Sequence, residues 1–364
     1  MIDTIQLKFP RIPTPDQLHD YWQTISHTAP NAAVPRLKYV YNTQPSDGIA
    51  LKATYLPQDY ENQPMLLLEL SFPKALCGIN WPMIPDIASA IHAVDSAIAR
   101  LPGLPPINTI GTGVVTRLDA CYNYQVGGNL QHYLRALSRL EYPHRQTVPF
   151  MGTGVEYRSI LCKTKFYDKL LETAKQHVDF DLYPPPGTLR HETTLRGARD
   201  VAHKVFSRSQ YQIKLQDIHP DDVINVLVKD LRHLGIENCS FATADLALQR
   251  LCAYYGNIKG PRLYGIYSAC QDRRKCDIAA ETHMQRHSVN RLLRQVRAAG
   301  IAPAASEAES LPPLQIIWPP QDDSPLAPRR TTPAFEESYP LILTTEANHH
   351  TRRQSEMSPQ RPTR

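Results

Sequence analysis

Three short segments of the sequence carry side chains suited to cutting a phosphodiester. Strand side chains alternate between two faces. In VVTRLDACYNY (114–124) that rule puts Arg117, Asp119, Cys121 and Asn123 on one face, opposite Leu118, Ala120 and Tyr122. In RSILCKTKFYDK (158–169) it puts Lys163, Lys165, Tyr167 and Lys169 opposite Ile160, Cys162, Thr164 and Phe166. In TLRHETTLRG (188–197) it puts Arg190, Glu192, Thr194 and Arg196 opposite Leu189, His191, Thr193 and Leu195. If the three strands are neighbours in one antiparallel sheet, their polar faces converge. Two acids from different strands suit a hard divalent cation, Mg²⁺ or Mn²⁺, and so Asp119 and Glu192 are candidate metal ligands. Arginine and lysine suit phosphate oxygens. A tyrosine in that company is a nucleophile for phosphorus, and Tyr167 is the candidate. A free phenol titrates near 10, so it needs a positive neighbourhood to ionise, which Lys165 and Lys169 would supply. A tyrosyl ester would conserve the energy of the cut bond for rejoining. The same alternation also fits a plain solvated sheet face.

Other residues compete for these roles. Tyr122 falls on the apolar face, Tyr124 shares that face at the strand end, and Tyr157 precedes the basic run. His191 should point away from Glu192, as a packed or hydrogen-bonded histidine; a bulge would instead turn it toward a metal. Lys163, Lys165, Arg117, Arg190 and Arg196 are candidate DNA contacts. Gly111-Thr-Gly113 and Gly152-Thr-Gly154 have neither the Walker spacing nor GxGxxG, so nucleotide binding is unsupported.

The elements that must position these groups read as an α+β fold. A largely antiparallel sheet has helices on one side, then comes a helical region, then a flexible tail. Strands are expected at 3–9, 49–56, 65–72, 113–124, 157–169 and 188–196, and helices at 15–25, 85–101 and 129–139. Residues 201–300 read as helical, at 221–234, 243–255, 262–272 and 277–299. In the last of these a short helix, a polar turn and a basic helix bearing Arg286, Arg291, Arg294 and Arg297 suggest a helix-turn-helix-like DNA contact; a solvated arginine face has the same pattern. The domain division expected is a nicking domain over 1–200, a helical DNA-binding region over 201–300, and a proline-rich tail over 301–364, where only Tyr339–Leu343 would dock as a strand.

Composition narrows the class. The 364 residues are 42% hydrophobic and 21% charged, with net charge +5. The tail is net acidic, so the first 300 residues are more basic than the whole, which favours a polyanionic partner. Seven cysteines without a CxxC pair argue against a disulfide framework or a zinc cluster. The sequence offers no membrane span and no secretory leader, so a protein of the cytosol of whatever cell makes it is expected.

Taken together, TRLDACYNY, LCKTKFYDKLLE and LRHETTLRG resemble the rolling-circle replication initiators of filamentous phages, the gene II type, and the related replication initiation factors of plasmids. Those proteins carry an R-hydrophobic-D strand, a tyrosine strand ending in lysine and an R-x-E strand in this order. MIDTIQLKF resembles their first strand, LELSFPKALCGIN a following segment, and THMQRHSVNRLLRQVRAAGI their C-terminal helices. The resemblance covers roughly residues 1–300. It implies a site-specific single-strand endonuclease that joins the nicked end to Tyr167 and later reseals the displaced circle. It also implies a metal at Asp119 and Glu192, and Lys169 as phosphate or tyrosine partner. Its partners would be double-stranded origin DNA, displaced single-stranded DNA and a host helicase. The His-hydrophobic-His metal pair of many other nickases is missing. The resemblance also admits a non-catalytic origin-binding regulator.

Overall fold

The computed structural model describes residues 1–318 except 16–17, 28–35, 45–48, 59–62, 151, 176–182, 207–211 and 274. Its frame is a ten-stranded antiparallel sheet. The strands are β1 (Ile2–Pro10), β2 (Gln23–His27), β3 (Arg36–Asn42), β4 (Leu51–Leu56), β5 (Met65–Ser71), β6 (Val114–Gln125), β7 (Gln146–Phe150), β8 (Gly154–Arg158), β9 (Cys162–Asp168) and β10 (Thr188–Arg196). They run in the order β2-β3-β4-β5-β1-β6-β10-β9-β8-β7. The three expected polar strands are therefore neighbours, with β10 between β6 and β9. Their alternation of polar and apolar side chains suits the register, which points every apolar face to the same side.

The apolar side is covered by helices. α4 (Leu130–Ser138), α6 (Ala198–Phe206) and α7 (Pro220–Leu234) pack behind β6, β8, β9 and β10, burying Leu118, Ala120, Val155, Tyr157, Phe166, Leu189 and Leu195. α2 (Phe72–Cys77) follows β5, capped by Ser71, and ends at Gly78, whose left-handed φ of 72° suits glycine. α3 (Ile87–Ile98) is capped by Asp86. α5 (Lys169–Ala174) is capped by Asp168 and starts immediately after β9.

Beyond α7 the chain forms α8 (Ala244–Asp272), α9 (Lys275–Glu281) and α10 (Arg286–Ala298). The chain leaves helical geometry inside α8 at Gly256, with φ 82°. Its two arms share one core, in which Leu251, Leu263 and Tyr267 meet Val296 and Ile301. A Cβ on Gly260 would lie 2.7 Å from Cys252, so that close approach requires glycine.

Several expectations need correction. The helix expected at 15–25 is one turn, α1 (Leu18–Tyr21), and its second half is β2, where the β-branched Thr24 and Ile25 favour a strand. The strand expected at 157–169 is a hairpin, β8 and β9, joined at Ser159–Leu161. The short helix, turn and basic helix expected within 277–299 are present as α9 and α10, separated near His283, whose φ is 53°. By contacts, the described residues fall in one compact unit. Residues 301–318, expected as tail, belong to it. Ile301, Ala302, Ala304, Leu311 and Leu314 are buried, and Leu311 pairs with Phe241. Tyr133 donates to the Pro312 carbonyl at 2.7 Å, and Tyr122 meets Ile317. The strand expected at Tyr339–Leu343 lies outside the described residues.

Candidate active site

Register places the side chains. Glu192 of β10 faces Lys165 of β9 and Cys121 of β6; Thr194 faces Lys163 and Asp119; Arg190 faces Tyr167 and Asn123. Asp119 and Tyr167 are thus both diagonal neighbours of Glu192 on a single face. Diagonal neighbours in such a sheet lie roughly 7 Å apart, within reach of long side chains.

The Tyr167 phenol donates to Glu192 Oε2 at 2.9 Å. The other oxygen, Oε1, lies 3.7 Å from Lys165 Nζ. Burial raises the phenol well above its ordinary value, and the Glu192 charge adds to the rise. The basic neighbourhood expected to ionise Tyr167 does not do so in this arrangement, because burial outweighs the nearby Arg190 charge. The phenol is a neutral donor resting on a carboxylate that can accept its proton.

Asp119 is gripped by Arg117, through Nε at 3.1 Å and an Nη at 2.6 Å, and Arg117 also reaches Glu69 at 3.0 Å. Burial pushes the Asp119 carboxyl up to about 6, opposed by the Arg117 hydrogen bonds and assisted by the charge on Glu192. Two buried acids that disfavour each other's charge form a donor set that a divalent cation would relieve. Among the described residues no group of three or more His, Cys, Asp or Glu side chains is placed to hold a metal. Two carboxylates fit Mg²⁺ or Mn²⁺, which keep several ligand positions for phosphate oxygens and water.

Lys169 and Arg190 are enclosed by protein rather than open to solvent. Lys169 is the first residue of α5 rather than a strand residue, and its side chain is wholly buried. Its ammonium donates to Asn80 at 2.9 Å and Glu172 at 2.5 Å and lies 5.8 Å from the centre of the Tyr167 ring. Burial, together with Arg190, lowers it to about 8. Arg190 is also fully buried, donating to Asp3 at 2.8 Å. A guanidinium so enclosed ties β10 to β1 across the intervening β6. The remaining cations do face outward: Lys163, Lys165 and Arg117 are partly exposed, and Arg196 is exposed. Arg286, Arg291 and Arg294 are exposed on α10, whose Val289, Leu293 and Val296 face the core.

The rival tyrosines lie behind the sheet. Tyr157 donates to the Leu137 carbonyl at 2.5 Å, and Tyr124 lies 3.5 Å from His191 Nδ1. His191 stacks on Phe166 with centroids 4.2 Å apart, on the face away from Glu192. It is a packed histidine, not a ligand beside Asp119.

Some residues at the site carried no weight in the sequence. Asp3 and Asn80 anchor Arg190 and Lys169 from distant segments. Glu156 of β8 faces Lys165 in register and lies 3.8 Å from Lys163, adding a third acid to the row. Its alternation with Val155 and Tyr157 was the available signal. Behind the sheet, Asp230 of α7 accepts hydrogen bonds from Tyr142 at 2.6 Å, Thr164 at 2.7 Å and Thr193. Asp230 shares the buried stripe of α7 with Val223, Val226, Leu227, Leu231 and Leu234, and an acid at that spacing was the sign of a buried partner.

No protein-family profile and no curated protein matches the chain.

Proposed function

We propose that the chain nicks and rejoins one strand of DNA at a replication origin, as the resemblance to rolling-circle initiators implies. The observation that carries this reading is the Tyr167 phenol hydrogen-bonded to Glu192 on the face that also holds Asp119. The phenol attacks phosphorus, its proton passing to Glu192 Oε2. The bond from phosphorus to the 3′ oxygen breaks, and the departing oxygen takes up a proton. The product is a 5′-phosphotyrosyl ester, reversed when a 3′ hydroxyl attacks it. A divalent ion held by Asp119 and Glu192 would supply charge withdrawal from a non-bridging phosphate oxygen. Lys163 and Lys165 hold phosphates along the strand. Arg190 and Lys169, both buried, orient Glu192 and the Tyr167 ring. On α10, Arg286, Arg291 and Arg294 grip origin duplex through its phosphates.

Supercoiled plasmids carrying candidate origins test this. Relaxation that requires Mg²⁺ or Mn²⁺, leaves protein covalently on the 5′ end and disappears in Tyr167→Phe supports it. Origin binding with no relaxation under any metal would replace it with a regulator that binds without cutting.

A further inference from the structure

The β8–β9 hairpin ends in an apolar tip where turns ordinarily carry polar residues. Ile160 is 93% exposed and Leu161 51% exposed. The tip is nevertheless held firmly. Ser159 N donates to the Cys162 carbonyl at 2.9 Å, and Cys162 N donates to Ser159 Oγ at 3.3 Å. Arg196 N donates to the Leu161 carbonyl at 3.1 Å, tying the tip to β10. Cations surround its base. Arg158 and Lys163 are register partners, Arg196 is exposed, and Arg117 is its partner on β6. All four belong to the polar face that carries Tyr167.

A rigid pair of branched apolar side chains ringed by arginine and lysine has the chemistry of a wedge between base pairs. The cations take the flanking phosphates, and the apolar tip stands in for the base pair that stacked there. The geometry points to a strand-separating role for Ile160 and Leu161 in duplex DNA. This rests on the nicking reading and adds how a paired strand becomes available to Tyr167. From the tip to Tyr167 is about 20 Å along β9, roughly six base-pair rises. The opened step should therefore lie that far from the cut.

The test compares full-length wild type with the double variant Ile160→Ser, Leu161→Ser. Both positions are exposed, so the variant should keep the wild-type melting temperature. The probes are a short duplex containing the nicked sequence, with 2-aminopurine at successive positions, and its cut strand alone. Wild type should raise 2-aminopurine fluorescence at one step and cut both probes. The variant should lose the fluorescence rise and nick duplex at least about tenfold more slowly, while cutting the single strand within about twofold of wild type. A variant that nicks duplex at the wild-type rate overturns the wedge and leaves the nuclease intact. A fluorescence rise that depends on the tip in a protein that cuts neither probe upholds the wedge and overturns the nuclease. Wild-type binding of duplex with no fluorescence change at any position overturns the wedge.

Discussion

Tyr167 and Glu192 lie on adjacent strands, diagonal to each other, and the phenol donates to the carboxylate at 2.9 Å. The bond couples the proposed nucleophile to an acid whose second oxygen stands 3.7 Å from Lys165. The same contact holds the phenol neutral at rest, since burial and the Glu192 charge both raise it.

Tyr167→Phe removes the nucleophile and little else. Glu192 keeps Lys165 at 3.7 Å and Arg190 at 4.0 Å, so the fold should lose no more than about 1 kcal/mol. Nicking should fall roughly a thousandfold or more. Denaturing gels for the covalent adduct and a urea melt measure the two effects separately. A stable Tyr167→Phe protein that still forms the adduct would move the nucleophile elsewhere.

Asp119→Asn should abolish activity and cost about 1–3 kcal/mol of stability. Both carboxylate oxygens accept from Arg117, and the amide turns one of them into a donor facing the guanidinium. Mg²⁺ should raise the melting temperature of wild type by about 2–4 °C per kcal/mol of linkage and leave Asp119→Asn unmoved. Equal metal shifts in both proteins would place the ion away from Asp119.

Asp230 makes stability depend on acid. Burial would raise its carboxyl, but His191, Arg145 and Thr193 outweigh that and bring it down to about 2. A depressed acid stabilises the fold above its unfolded value near 4, and the contribution is lost as pH falls through the folded value. Urea melts should show about 2 kcal/mol disappearing between pH ~4 and ~2, and the Asp230→Asn protein should lack that slope. Asp230→Ala leaves Tyr142, Thr164 and Thr193 without their acceptor and should cost roughly 3–5 kcal/mol.

Duplex affinity should fall steeply with salt, because phosphate neutralisation releases counterions. Arg291→Ala combined with Arg294→Ala should reduce the slope of log affinity against log salt by about 0.9 for each phosphate that is no longer neutralised. The melting temperature should not change, since both residues are exposed. An unchanged slope would make that face of α10 a solvated surface only.

The front of the site was legible because period-two patterning is a local property. Arg117, Asp119, Lys163, Lys165, Tyr167 and Glu192 share a face as alternation requires. The pattern failed where tertiary structure overrode it. Lys169 continues the alternation on paper, yet Asp168 caps a helix there and turns the lysine inward. Arg190 looked like a phosphate contact and is instead buried against Asp3, which lies far away in sequence. The proline-rich composition after 301 suggested a tail that begins at once. Short extended pieces with prolines can still bury alternate apolar residues against a neighbour, as Leu311 and Leu314 do. No local pattern announces Asn80 beside Lys169.

The strand order has a consequence for synthesis. Gln125 of β6 pairs with Thr188 of β10, and everything between them is made first. Until Arg196 has left the ribosome, β6 presents a bare hydrogen-bonding edge with β1 already at its other side. Nascent chains at that stage are exposed to wrong edge-to-edge pairing, a hazard that chaperones or rapid translation through β7–β9 would mitigate. They also carry Asp119 and Tyr167 with no Glu192 between them, so a half-made protein holds the pieces of the pocket without the strand that joins them.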